Sequence, residues 1–177
     1  MSNSKSENND RFIIVTGRFG SPIKETAQVL AKAENLQLID LNREIETREQ
    51  WTIRRLVMMN GEHALRNKEY EILKEIHEAI EGGQLAGAVV ACSDGVLYDE
   101  DSAEIISKGR ISFAGRDMSE DELWEKASKM EDTYHAFMIM ETGENRRKKF
   151  SELVARQGEL LTEGAERITM YYAKEEN

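Results

Sequence analysis

The chain has 177 residues, of which 40% are hydrophobic and 33% charged, and a formal net charge of −10. That length fits one globular domain able to bury about 70% of its unfolded surface, and the acidic balance argues against a nucleic-acid binder. No apolar run reaches the length of a membrane span, residues 1–10 lack a signal-peptide core, and one cysteine, Cys92, excludes an internal disulfide framework, so a soluble cytoplasmic protein is expected.

Residues 1–10 are polar and read as a disordered tail, with a single domain over 11–177. Residues 12–16 (FIIVT) are a predicted strand, followed by a glycine-containing turn and a helical pattern over 24–34. A second strand is expected at 36–40 (LQLID), then helices over 42–60 and 62–82, the latter closed by Gly82-Gly83. Residues 87–92 (GAVVAC) predict a third strand, 99–108 a helix and 110–114 (RISFA) a fourth strand. Ser119-Glu-Asp-Glu122 reads as a capping box opening a helix over 119–140. A helix over 150–164 and a fifth strand at 167–172 (RITMYY) complete the order. Strands separated by helices imply βαβ units and a mainly parallel sheet covered on both faces. Ligands in such sheets bind beyond the carboxyl ends of the strands. Those ends carry Gly17 to Ile23, Asp40 with Asn42, and Ser93 to Gly95.

The first of these segments has the strand–glycine loop–helix layout of nucleotide-binding phosphate loops. The pattern G-x-x-x-x-G-K-[ST] read from Gly17 meets Pro22, Ile23 and Lys24 where glycine, lysine and a hydroxyl are required. Proline removes a backbone donor and fixes φ near −65°. Isoleucine neutralises no phosphate charge, and lysine does not hold Mg²⁺ as a hydroxyl would. Lys24 stands one residue late, which on a helix start turns its side chain by about 100°; Thr26 would approach a metal only in a remodelled loop. Gly17, Gly20 and Lys24 are the surviving nucleotide-site candidates. The alternative is an ordinary strand–turn–helix.

Several segments together resemble the shikimate kinase family, within the nucleoside-monophosphate-kinase-like P-loop fold. The similarity runs from about Phe12 to Glu46, through GRFGSPIKETAQVLA and LIDLNREIE, where the family has an aspartate-x-aspartate pair. It continues through Asn60-Gly-Glu-His-Ala-Leu-Arg-Asn-Lys-Glu69, against a family pattern G-E-x-x-F-R-x-x-E, and is looser beyond residue 97. Arg156-Gln-Gly-Glu-Leu-Leu161 resembles the family's R-x-P-L-Y segment. The resemblance implies a three-layer α/β fold with a five-stranded parallel sheet flanked by helices.

Carried over residue by residue, Arg66 and Arg156 match two arginines that grip the shikimate carboxylate, a task suited to the two parallel donors of guanidinium. Asp40 matches an acidic residue that organises Mg²⁺ through water. Asn42 stands where a second aspartate would bind substrate hydroxyls and accept the reacting proton, and an amide is no base at neutral pH. Of a triple-glycine turn only Gly95 survives, behind Ser93 and Asp94. Plainer readings stand beside these: Arg66 in an intrahelical ion pair with Glu62 or Glu69, and Asp40 as a helix cap. Arg156 is followed by Gln157 and Glu159. The run Arg146-Arg-Lys-Lys149 is either a solvated loop or a basic lid over anionic ligand groups. Phe137-Met-Ile-Met140 reads as core or partner surface, Cys92 as an inert core thiol. His63, His77 and His135 read as ordinary surface or partly buried residues.

Phosphoryl transfer rests on positioning and charge neutralisation, and the loop lysine, the metal hydroxyl, one loop donor and the base position are all altered. The leading expectation is a catalytically inactive, shikimate-kinase-like pseudoenzyme with a binding or regulatory role. Its partner would be a small carboxylate held by Arg66 and Arg156, or a protein reached through 119–149. The alternative is a divergent ATP-dependent small-molecule kinase in which Lys24 and residues 146–149 replace the missing charges. ATP and Mg²⁺ are expected cofactors only on that alternative. A third reading is a nucleotide- or metabolite-sensing module. Neither a nucleic acid nor a membrane is an expected partner.

Overall fold

The computed structural model describes residues 10–175; residues 1–9 of the expected tail lie outside them. Strand β1 (Phe12–Gly17) is apolar on alternate positions of both faces, so it is buried throughout. Phe12 and Ile14 enter one hydrophobic cluster, and Ile13 and Val15 the other. Alternation of side chains across a strand forces that division. Helix α1 (Ile23–Glu34) covers the second face through Ala27 and Ala31. Strand β2 (Gln37–Asp40) leads directly into α2 (Leu41–Glu49), capped by Asp40, whose Oδ1 accepts from the Arg43 N–H at 3.3 Å.

The helix expected over 42–60 is broken. Gln50 takes φ +58°, and Thr52 starts a new helix, α3 (Ile53–Asn60), by accepting from the Arg55 N–H at 3.1 Å. A left-handed residue followed by a good cap outweighs continuous helix propensity there. Helix α4 (Glu62–Glu81) packs Leu65, Ile72, Leu73, Ile76 and Ile80 onto the first face of the sheet. Strand β3 (Ala88–Ala91), a short 3₁₀ turn (Val96–Tyr98), α5 (Glu100–Ile106) and β4 (Arg110–Ala114) follow.

All pairings are parallel, in the order β2-β3-β1-β4, with Ile14 opposite Val90 on one side and Ile111 on the other. The chain leaves β1 toward β2 and leaves β3 toward β4, so connectivity reverses between β1 and β3. That switch point opens a crevice at the strands' carboxyl ends. The Cys92 N–H donates to the Val15 carbonyl at 2.9 Å, and Thr16 Oγ1 donates to the Ser93 carbonyl at 2.8 Å, holding both exits together.

The α/β fold with helices on both faces is as expected, with four strands among the described residues rather than five. Residues 167–172 continue helix α8 (Gly143–Glu175). A short apolar run is ambiguous between strand and helix, and here the helix runs on through Gly164 into it. The capping box of Ser119 and Glu122 is present and opens α6 (Glu120–Ala127). That helix ends at Ala127, and a short α7 (Phe137–Met140) resumes after an irregular segment. Residues 146–149 lie in the first turns of α8, not in a loop between helices. Arg147 pairs with Asp121 at 2.7 Å and Glu120 at 3.2 Å, and Lys149 with Glu141 at 2.6 Å. A third cluster joins Phe19, Leu123, Ala127, Met138, Phe150, Leu153 and Val154, so α6, α7 and α8 form one unit seated on the loop after β1. Among the described residues no helix is long and apolar enough to cross a membrane.

Candidate functional site

The loop from Gly17 to Pro22 turns at the switch point, and several backbone donors in and just after it are bonded within the chain. The Phe19 N–H donates to Gln157 Oε1 at 2.8 Å, the Ser21 N–H to the Arg18 carbonyl at 2.9 Å and the Ile23 N–H to the Ser21 carbonyl at 2.9 Å. Pro22 has no N–H to offer. Gly20 sits at φ +93°, and a Cβ there would overlap the Leu123 carbonyl of α6. The loop therefore rests against α6 at Gly20, while Arg18 to Ser21 and Ile23 to Glu25 line a cavity on its other side. Phe19 is 2% exposed, and its ring lies 4.5 Å from that of His135 and 5.8 Å from that of Phe150. Arg18 Nη2 donates to the Met118 carbonyl at 2.7 Å, tying the loop to the segment before α6.

Lys24 Nζ lies 3.4 Å from Asp40 Oδ2, so the nucleotide-site and metal-site candidates are paired with each other. Asp40 also caps α2, which unites the capping reading with its place at the crevice. Asn42 Oδ1 and Ser21 Oγ are buried without hydrogen-bond partners. These residues, with Ser93, Asp94 and Lys126, line a cavity of about 250 Å³. The three strand ends singled out from the sequence thus meet around one space.

Arg66 is 6% exposed and fully engaged at both terminal nitrogens. Nη1 donates to Glu69 Oε1 at 2.6 Å and to Ser93 Oγ at 2.9 Å. Nη2 donates to Glu62 Oε1 at 2.7 Å and to the Tyr134 hydroxyl at 2.8 Å. Burial works against the charged guanidinium, but Glu69 and the other partners raise its pKa further above the usual value. Complete burial pushes the Glu69 carboxyl up, opposed by Arg66 and by the Ser93 hydroxyl that donates to it at 2.5 Å. Gly95 packs flat against the guanidinium, and a Cβ there would collide with it. That close approach requires glycine at this one position of the turn.

Asp94, immediately before Gly95, accepts from Gln157 Nε2 at 2.5 Å and lies 2.7 Å from His135 Nε2. Burial would raise its carboxyl, but His135, Gln157 and Arg66 hold it below its ordinary value. Arg156 projects from α8 into a second cavity of about 240 Å³, lined also by Glu62, Tyr98, His135, Leu153 and Leu160. Asp94 lines the first cavity and His135 the second, so their contact stands in the wall between them. Asp40 and Asn42 therefore share one space, Arg156 has the other, and Arg66 is buried between.

Phe19, Glu69, Tyr134, His135 and Gln157 were not singled out as site residues from the sequence. Only Glu69 had a local signal, its spacing of three from Arg66 on a helix. The others come from segments distant in the chain. Cys92 is buried at the end of β3, and burial pushes its thiol well above the ordinary value.

A family model described as shikimate kinase matches residues 23–155, beginning at the first residue of α1. A bifunctional shikimate kinase/3-dehydroquinate synthase of Thermotoga maritima is 34% identical over 101 residues, 57% of this chain and 19% of that protein. A shikimate kinase of Chlorobaculum tepidum is 34% identical over 102 residues, 57% of this chain and 50% of that protein. The matched stretch thus spans at most half the length of these two relatives. Among solved structures, a shikimate kinase from Acinetobacter baumannii in complex with shikimate superposes with a TM-score of 0.68 at 20% identity, covering 91% of this chain and 83% of that one. One from Aquifex aeolicus gives 0.56 at 18% identity, covering 81% and 82%. The structural likeness is one of fold; with the family match across well over half of the sequence, it shows that this chain belongs to the shikimate kinase family.

Proposed function

We propose that this chain is a shikimate-kinase-like protein without phosphotransferase activity, which holds a small carboxylate in a binding or regulatory role. The observation that carries this reading is the state of the loop after β1. Three of its N–H groups are satisfied by Gln157 and by the loop itself, Pro22 has none, and α6 roofs Gly20. A triphosphate would have to displace these bonds before gaining any of its own, and buried donors are costly to strip. Asn42 at the base position is no proton acceptor at neutral pH. The substrate side keeps both arginines, since Arg156 lines the second cavity and Arg66 lies behind Glu62 and Tyr134.

Isothermal titration with ATP–Mg²⁺ and with shikimate, alongside a phosphate-transfer assay, tests the reading. Expected are measurable shikimate binding, no heat from ATP at millimolar concentration, and no phosphoshikimate. Turnover, or ATP binding at millimolar Kd or tighter, would overturn it in favour of a divergent kinase using Lys24, whose side chain is 58% exposed beside the cavity.

A further inference from the structure

The irregular segment between α6 and α7 contributes groups that a ligand at this site would otherwise supply. Tyr134 donates no net charge, yet its hydroxyl accepts from Arg66 Nη2, and its ring lies 4.2 Å from that of His135. His135 in turn meets Asp94 in the wall between the two cavities. The segment has no helix or strand of its own over 130–135. It is held from the far side by Arg54, which donates to the carbonyls of Thr133 and Glu131. Three separate anchors thus hold a stretch with no ladder of backbone bonds to break.

We propose that this segment is an internal occupant of the site, with the Tyr134 hydroxyl holding the place of a carboxylate oxygen on Arg66, so that binding requires its withdrawal and joins the two cavities into one. The inference rests on the carboxylate-binding reading given above. Guanidinium offers a carboxylate two parallel donors. On Arg66 both terminal nitrogens are already committed, one of the four bonds being to Tyr134. Glu62 is half exposed at its side chain and is free to swing away, whereas Glu69 and Ser93 are buried. The exchangeable edge of Arg66 is therefore Nη2, the edge that Tyr134 covers. Withdrawal of His135 would remove its ring from between Asp94 and the Arg156 side, opening the wall. A bond to a charged group is among the stronger hydrogen bonds, so the segment sets the affinity of the site.

Tyr134→Phe keeps the ring against His135 and removes only the hydroxyl, which protects the fold. Shikimate is the probe, titrated into the full chain with wild type alongside, while amide hydrogen exchange is followed across 129–136. The variant is expected to bind about tenfold more tightly, since a hydrogen bond to charge no longer competes. Saturating shikimate is expected to raise exchange in 129–136 of the wild type. Equal affinity in both proteins, or unchanged exchange on saturation, would overturn the occupant and leave the carboxylate reading standing. Absence of shikimate binding in both proteins would overturn the carboxylate reading, and the occupant with it.

Discussion

Arg66 brings a full positive charge to a place where 6% of its surface meets solvent. Glu69 answers it from complete burial and Glu62 from a half-exposed position. Removing one partner of a buried pair leaves the other charge uncompensated, which is far more costly than losing an exposed pair. Glu69→Ala is therefore expected to cost about 3–5 kcal/mol, and Glu62→Ala less than about 1 kcal/mol, measured from urea unfolding midpoints. Similar losses from the two would show that the Glu69 carboxylate is not the buried counter-charge. The spacing of Glu62, Arg66 and Glu69 is written in the chain, because residues three and four apart share a helix face. Burial of the group is not, since it depends on Ser93 and Tyr134 arriving from elsewhere.

At the scale of elements, the decisive contact is that of the β1–α1 loop with α6 and α8. Strand, turn and helix are local consequences of apolar alternation, glycine and a proline at the helix entrance, and they form where expected. What covers the loop is not local. The Phe19 N–H finds Gln157 from 138 positions away, and Gly20 accommodates the Leu123 carbonyl. Gly20→Ala would place a side chain at φ +93° and against that carbonyl. Backbone strain alone costs about 1–3 kcal/mol, so a clear fall in Tm is expected, whereas an unchanged Tm would mean that α6 does not rest on the loop. The same long-range packing explains two departures from the sequence reading. Residues 128–136 are irregular because Arg54, Arg66 and Asp94 draw them into tertiary bonds. Residues 146–149 are helical and ion-paired to α6 and the end of α7 rather than forming a basic loop.

Across the whole molecule, Asp94 links the sheet's carboxyl edge to the segments above it through His135 and Gln157. Asp94 is held below its ordinary value of 3.8 by His135, Gln157 and Arg66 despite burial. The unfolded chain then takes up that proton at a higher pH than the folded one. Stability from Asp94 is full above the unfolded pKa and is lost as pH falls through the lower folded value. Wild type should therefore lose stability more steeply than Asp94→Asn from about pH 5 downward, followed by thermal unfolding across pH. Parallel slopes would show that Asp94 does not couple the two parts. The parallel α/β order, the strand ends that bear Asp40, Asn42 and Gly95, and the turn leading to Pro22 were all legible, because alternation, capping and turn chemistry act over a few residues. The division of the crevice into two cavities, the roof over Gly20 and the placement of Tyr134 on Arg66 were not. Those arise where segments about 40 to 140 positions apart meet, and local physical chemistry carries no term for a partner so far along the chain.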